Sequence, residues 1–364
     1  MKMTTKQPRR FPALLATLCT AVLLAGGCKE LPVEVPKIDV PIPSFALNCP
    51  GVTEHAANVD TFLVIGHRGA AAKEPENTIP SMQRALDDGA NALELDFCMT
   101  SDGEIVIWHD WDPNDAIALA REGGGEGGVL VKPRFPPLGS SVRKPMDEIT
   151  YDQFRFNYWY VSKAMLSKER VDAEIPTIQK FMDWAHDKDG LYYLMIDVKI
   201  PESKSHLTEA MISKMDSIIS SYNPKFKWVY MTPRRSVWDI IARLIDGNGL
   251  SFDVDLGPGE INGEPCTISS SSYARQRGHG FATTMHPFTW TETPWTTLKR
   301  LLMCDLETRD NPEPGEPIVE KVIAATINDR EKLECLVDMG IDGIMTDDPG
   351  LLRTVAVQKG RKVQ

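Results

Sequence analysis

Two things are scarce in this 364-residue chain: positive charge, and cysteine in any paired spacing. Lys and Arg total 40 against 51 Asp and Glu, a formal net charge of −11. Residues 1–27 hold Lys2, Lys6, Arg9 and Arg10 and no acid, so the remainder stands four units lower, at −15. A body this acidic repels phosphate backbones, which argues against a nucleic-acid partner. A phosphate ester binds such a chain only where local cations or a metal reverse the sign. The seven cysteines, at 19, 28, 49, 98, 266, 304 and 335, contain no C-x-x-C pair and no zinc spacing. Five lie beyond Cys28, an odd number that leaves at least one thiol after any one or two disulfides an oxidising compartment permits. Hydrophobic residues at 42% and charged residues at 25% supply a sizeable core and exclude a wholly disordered chain or a polytopic membrane protein.

The four early bases are followed by an apolar stretch, Phe11 to Gly27, and then by Cys28. This reads as a secretory signal over residues 1–27. The Ala25-Gly-Gly-Cys28 ending resembles a bacterial lipobox, with Cys28 lipidated and the protein exported as a membrane-anchored lipoprotein. The alternatives are simple cleavage to a periplasmic or secreted form, and an uncleaved anchor. Residues 28–60, proline-rich at Leu31 to Pro43, read as an extended spacer. The body follows over 61–355, with a short basic tail at 356–364.

Within that body, short apolar runs alternate with helical patterns. Strands are expected at 62–65, 91–98, 191–198, 226–231, 250–255, 280–285, 321–327 and 342–346. Helices are expected after Thr78, after Thr177, over 207–219 and 237–245, and after a capping box at Asn328 to Glu331. Alternation of this kind means a parallel sheet, and eight strands point to an α/β (β/α)₈ TIM barrel with its site at the C-terminal strand ends. Residues 111–174 do not fit the alternation and read as a loop with a small helical insertion that shapes the entrance.

Three clusters fall at strand ends: His67-Arg68-Gly69, Glu94-Leu95-Asp96 and Trp108-His109-Asp110. The turn signal Ser101-Asp102-Gly103 predicts a β-hairpin extending from strand 2, with paired residues whose numbers sum to 203. That register sets Glu94 opposite His109 and puts Glu94, Asp96 and His109 on one face, unless a bulge at Gly103 shifts it by one residue. Asp197 and Lys199 share a face at the end of the next strand. Glu94, Asp96 and Asp197 form an all-oxygen ligand set for one divalent metal ion, Mg²⁺ or Ca²⁺. Three carboxylates and a divalent ion sum to −1, Arg68 and Lys199 bring the set to +1, and one phosphodiester anion neutralises it. Glu76, just before a helix start, is a candidate contributor behind the site, but it reads more readily as a capping or surface acid.

Gly66-His-Arg-Gly69, Pro75-Glu-Asn-Thr78, Glu94-Leu-Asp96 and His109-Asp110 together resemble the glycerophosphodiester phosphodiesterase family. Ile175-Pro-Thr177, Ile196-Asp-Val-Lys199, Thr326-Ile-Asn328 and Asp342-Gly-Ile-Met-Thr-Asp347 continue the match in order. The resemblance implies a metal-dependent barrel hydrolase that releases sn-glycerol 3-phosphate and an alcohol from a small phosphodiester, by way of the substrate's own 2-hydroxyl. It departs from the family's pattern at Asp197, where Glu is usual, at Ala325, where Trp is usual, and in a longer insertion after His109.

In-line phosphodiester cleavage needs a clamp on the phosphoryl oxygens and two proton-transfer groups. Arg68 and Lys199 serve as the clamp, His67 as base and His109 as acid. Phe288, Trp290 and Trp295 follow strand 6 and are candidates for the pocket wall that Ala325 lacks; Trp290 would then contact a cationic head group. A phospholipase-D-like hydrolase of lysophospholipid or sphingolipid is the alternative reaction. A lipid-anchored binding protein for phosphorylated solutes is the alternative class.

Overall fold

The computed structural model describes residues 61–163, 169–245, 250–254, 270–278, 280–285, 294–312 and 314–363. The expected signal, Cys28, the spacer, Phe288 and Trp290 lie outside the described residues.

Every expected strand forms. β1 (Leu63–His67), β2 (Ala92–Met99) and β3 (Ile105–Ile107) come first, β3 running antiparallel to β2. After β4 (Val131–Arg134) and β5 (Trp159–Ser162), the parallel series resumes. It comprises β6 (Tyr193–Val198), β7 (Lys227–Thr232), β8 (Leu250–Val254), β9 (Phe281–Met285), β10 (Lys321–Ala325) and β11 (Gly343–Thr346). β1 pairs with β11 on one side and with β2 on the other, so the parallel strands close into a ring. This is a (β/α)₈ barrel. The helices between strands include α1 (Ile79–Asp87), α2 (Ala116–Glu122), α3 (Tyr151–Asn157), α4 (Ile178–Ala185), α5 (Thr208–Ser221) and α6 (Arg235–Leu244). The series ends with α7 (Ser270–Arg277), α8 (Pro294–Asp310), α9 (Arg330–Asp338) and α10 (Pro349–Gln358). No helix among the described residues is long and apolar enough to cross a membrane.

Period-two alternation divides the core into two layers. Phe62 and Val64 face outward into the cluster under the helices. Leu63 and Ile65 face inward with Ala92, Met195, Val229, Met231, Phe281, Ile323, Ala325 and Met345. Continuing the inward series toward the C-terminal rim gives His67 on β1, Glu94 and Asp96 on β2, Asp197 on β6 with Lys199 just past it, and Asp347 just past β11. The alternation that fills the barrel with apolar groups thus delivers charged groups at its mouth.

Three expectations change. The hairpin register is one residue longer: Phe97 pairs with Ile107 and Met99 with Ile105, a sum of 204. The cause is a three-residue turn in which Gly103 takes φ +80° and Thr100 N donates to Glu104 O at 2.9 Å. Asp96 therefore stands opposite Trp108, and His109 reaches the site from the loop beyond β3 rather than from a strand face. The cap of α9 is Asp329, whose side chain accepts from Lys332 N at 3.0 Å. Asn328 is left to bond the end of β11. Residues 356–363 do not trail away as a tail: Ala356 is buried, and Phe62 N donates to Lys362 O at 2.8 Å.

The insertion holds helices, as expected, and also the two-stranded antiparallel sheet β4–β5. Four residues containing Pro133 carry too little period-two signal to read as a strand. Its centre is Trp108, fully buried, with the rings of Tyr160, Phe154, Phe135 and Tyr158 at 5.0, 5.6, 6.2 and 6.3 Å. Trp108 Nε1 also donates to Asp110 O at 3.1 Å, so the same ring anchors the segment that carries His109. Trp295 packs on the helical layer, with Lys332 and Lys299 Nζ at 5.4 and 5.5 Å from its ring, instead of walling the pocket. Cys304 and Cys335 are each engaged in a disulfide; Cys98 is a buried free thiol.

Emptying the Trp108 site should cost ~3–5 kcal/mol, the usual penalty for deleting a buried large aromatic. Trp108→Ala should lower the urea midpoint accordingly, and an unchanged midpoint would show that the insertion packs without it.

Candidate active site

His67 ends β1, and the chain then turns sharply. Arg68 takes φ +51° and Gly69 φ +88°. A Cβ on Gly69 would fall 2.4 Å from Ser81 Oγ, so only glycine lets the turn close against α1. The turn aims the Arg68 N–H at Glu94 Oε2, 3.1 Å away, and sends the guanidinium back across the mouth. There Nη1 donates to Glu76 Oε2 and to Glu126 Oε1, both at 2.9 Å. Nε lies 3.0 Å from Asp96 Oδ2, an ion pair without the alignment of a hydrogen bond.

The register of β2 on β6 sets Asp96 beside Asp197, and that of β1 on β2 sets His67 beside Glu94. Glu94, Asp96 and Asp197 are all buried, and each offers an oxygen within 4.8 Å of the others. Lys199 Nζ donates to Asp197 and lies 2.8 Å from Asp96 Oδ1. Asn77, at φ +57°, clamps Asp96 from the far side: its Nδ2 donates to Oδ2 at 2.7 Å and its Oδ1 accepts from the Asp96 N–H.

The electrostatics follow from crowding without water. Burial and the neighbouring Asp96 push the Glu94 carboxyl up to about 8. Burial opposes the Asp96 charge too, but Lys199 and Arg68 outweigh it and hold that carboxyl far below its ordinary range. Lys199 is likewise raised, burial being overcome by Asp197 and Asp96.

The two histidines sit in opposite fields. Burial and Arg68 disfavour the charged form of His67, yet Asp347, which meets Nδ1 at 2.7 Å, and Glu94 prevail and raise it. Asp347 is in turn held by Asn328, whose Nδ2 donates to it and whose Oδ1 accepts from its N–H at 2.8 Å. His109 lies well below its ordinary value through burial and the cations Lys199, Arg68 and Arg121. Its Nδ1 meets Asp110 Oδ1 at 2.9 Å.

All the described residues expected at the site thus converge: His67, Arg68, Glu94, Asp96, His109, Asp197 and Lys199. Several further participants join them. Glu76 is neither a cap nor a surface acid; it is buried and bound by both Arg68 and Arg121. Arg121, from α2, also pairs with Asp110 at 3.0 Å and with Glu126. Asp347 and Asn328 lay in segments that carried the family resemblance without an assigned role. Arg121 and Glu126 had no signal, because they belong to the insertion.

The model of the glycerophosphoryl diester phosphodiesterase family matches residues 67–240, from the first histidine into α6. Over that stretch the chain matches the family. A glycerophosphodiester phosphodiesterase of Caldanaerobacter subterraneus is 25% identical over 303 residues, covering 82% of this chain and 98% of the relative. One of Bacillus subtilis is 30% identical over 156 residues, 43% of this chain and 46% of the relative. Among solved structures, a phosphodiesterase of Oleispira antarctica, in complex with the product sn-glycerol-3-phosphate, superposes with a TM-score of 0.54 at 16% identity. It covers 80% of this chain and 96% of its own, and shares the fold.

Two histidines displaced in opposite directions predict a split pH profile. Asp347→Asn removes the carboxylate that raises His67, so the more alkaline of the two apparent pKa values in kcat/KM should move down. The more acidic value should stay in place. A rate profile over pH 5–9 checks this, and an unmoved alkaline limb would detach His67 from it.

Proposed function

We propose that this chain hydrolyses glycerophosphodiesters to sn-glycerol 3-phosphate and an alcohol, using one divalent metal ion and two histidines. One observation carries the reading: three buried carboxylates within 4.8 Å, bracketed by His67, His109, Arg68 and Lys199 at a single barrel mouth. The Oleispira antarctica neighbour, solved with sn-glycerol-3-phosphate, supports the choice of product.

The donor set fits a hard cation. Asp197 Oδ1 is buried and has no hydrogen-bond partner, and Glu94 is driven toward its neutral form by the charges beside it. Both are what an oxygen site built for a divalent ion presents. Glu94, Asp96 and Asp197 would hold Mg²⁺ or Ca²⁺, which supplies a Lewis acid to a phosphoryl oxygen. Arg68 and Lys199 bind the remaining phosphoryl oxygens and orient the ester for in-line attack. His67, with Nδ1 engaged by Asp347, keeps Nε2 for the proton of the attacking hydroxyl. His109 supplies a proton to the departing alkoxide, its charged form favoured once the anionic substrate offsets Lys199 and Arg68, which otherwise disfavour it. A P–O bond forms to the 2-hydroxyl oxygen, the P–O bond to the alcohol breaks, and the alcohol leaves protonated; water then attacks the cyclic phosphate with the proton transfers reversed, breaking the bond to the 2-oxygen and giving sn-glycerol 3-phosphate.

Chelation should abolish turnover of glycerophosphocholine, and Mg²⁺ or Ca²⁺ should restore it. His67→Ala and His109→Ala should each lower kcat by about 10²–10⁴. Full activity in excess chelator would remove the metal from the reaction.

The same reading places the protein outside the cytoplasm, as a lipoprotein held through Cys28. It draws support from the basic, apolar start of the chain and from the disulfides at Cys304 and Cys335, which belong to an oxidising compartment. Cys28→Ser should move the protein from the membrane fraction to the soluble one; unchanged membrane association would point to an uncleaved anchor.

A further inference from the structure

Among Gly123, Gly124, Gly125, Gly127 and Gly128, the insertion carries one side chain, Glu126. It sits in the active mouth. One carboxylate oxygen accepts from Arg68 Nη1 at 2.9 Å, and the other pairs with Arg121. The loop is pinned on both sides of it. Lys163 Nζ donates to the Glu126 carbonyl, and Leu130 N donates to Ala71 O at 2.8 Å. At Gly128, with φ +81°, a Cβ would fall 2.8 Å from both Asn328 Nδ2 and Asp347 Oδ2, so the loop lies directly against the pair that holds His67.

This position conflicts with the binding of an anion. Nη1 of Arg68 has two protons, and Glu76 and Glu126 take both. Bidentate capture of a phosphoryl group across the guanidinium requires one of them to leave. Glu76 is held on both oxygens and its side chain is 1% exposed, whereas that of Glu126 is 24% exposed. The charges point the same way. Glu76, Glu94, Asp96, Asp110, Glu126, Asp197 and Asp347 face only Arg68, Arg121 and Lys199 as permanent side-chain cations in this network. Even a divalent ion leaves an excess of negative charge that repels a phosphodiester.

We propose that Glu126 is a built-in competitor for the substrate's phosphoryl group, and that it sets affinity by occupying Arg68 until the phosphoryl displaces it. The flanking glycines let the carboxylate swing out toward water while the loop stays attached at Leu130. This inference rests on the phosphodiesterase reading only in identifying the natural anion; the competition itself applies to any phosphoryl group.

Glu126→Gln tests it. Glutamine keeps the size and the acceptor oxygen but removes the charge. Calorimetry with inorganic phosphate and with sn-glycerol 3-phosphate should give a Kd lower by about tenfold, the order of one charge-assisted hydrogen bond removed from the competitor. The KM for glycerophosphocholine should fall in parallel. Glu126→Ala should shift phosphate affinity in the same direction. Glu122→Gln, on the same insertion but paired with Arg134 and Arg143, should change neither. Phosphate binding that is unchanged, weaker or undetectable in Glu126→Gln would overturn the competition and make Glu126 a support for Arg68. Tighter phosphate binding without hydrolysis of any glycerophosphodiester would keep the competition and overturn the substrate reading instead.

Discussion

Carboxylates crowded into a mouth that excludes water govern the arrangement of everything around them. Glu94, Asp96 and Asp197 cannot all stay ionised at such separations without cations, and Glu94 is already driven up to about 8. Each neighbouring group answers that excess. Lys199 bridges Asp96 and Asp197, Arg68 spans Asp96, Glu76 and Glu126, and Arg121 shares Glu76 and Glu126 with Arg68 and adds Asp110. A buried network of this kind costs stability unless every charge is matched. The unmatched Asp197 oxygen and the raised Glu94 mark where the protein's own cations stop, which is where the proposed divalent ion would sit.

The insertion is part of that balance rather than an ornament on the barrel. Its aromatic cluster around Trp108 fixes the backbone on which His109 and Asp110 ride. From that base α2 directs Arg121 inward, and the glycine run carries Glu126 over the mouth. Packing and charge therefore act on the same segment: the aromatic side secures it, and the polar side completes a network begun on β1 and β2. A shorter connection would leave Glu76 buried without its second arginine and Asp110 buried without its one, an arrangement costing several kcal/mol.

Much of this was legible along the chain because it is periodic or local. Alternation of apolar runs and helical patterns gave the barrel, since a βαβ unit buries its strand on both faces and its helix on one. The positions of His67, Glu94, Asp96, Asp197 and Lys199 followed from strand ends, because period-two alternation puts every second residue of a closed barrel inside. The hairpin was one residue off for a physical reason: register depends on the φ of a single glycine, Gly103, which composition does not reveal. The α9 cap moved from Asn328 to Asp329 on similarly small grounds, two adjacent residues with equally good capping side chains.

What the linear pattern could not carry were pairings between segments far apart in the chain with no shared period. Asp347 meets His67 across 280 residues, and Arg121 meets Glu76 across 45. Glu76 looked like a surface acid because its two arginines arrive from opposite directions, one from the turn after β1 and one from an insertion whose path no propensity predicts. Glu126 stands alone among glycines and shares no period with the groups it meets. Local chemistry determines which residues turn inward on a strand; the closing of the ring and the docking of the insertion determine which charges then find one another. Electrostatic energy depends on distances through space, and those distances exist only once the chain has folded.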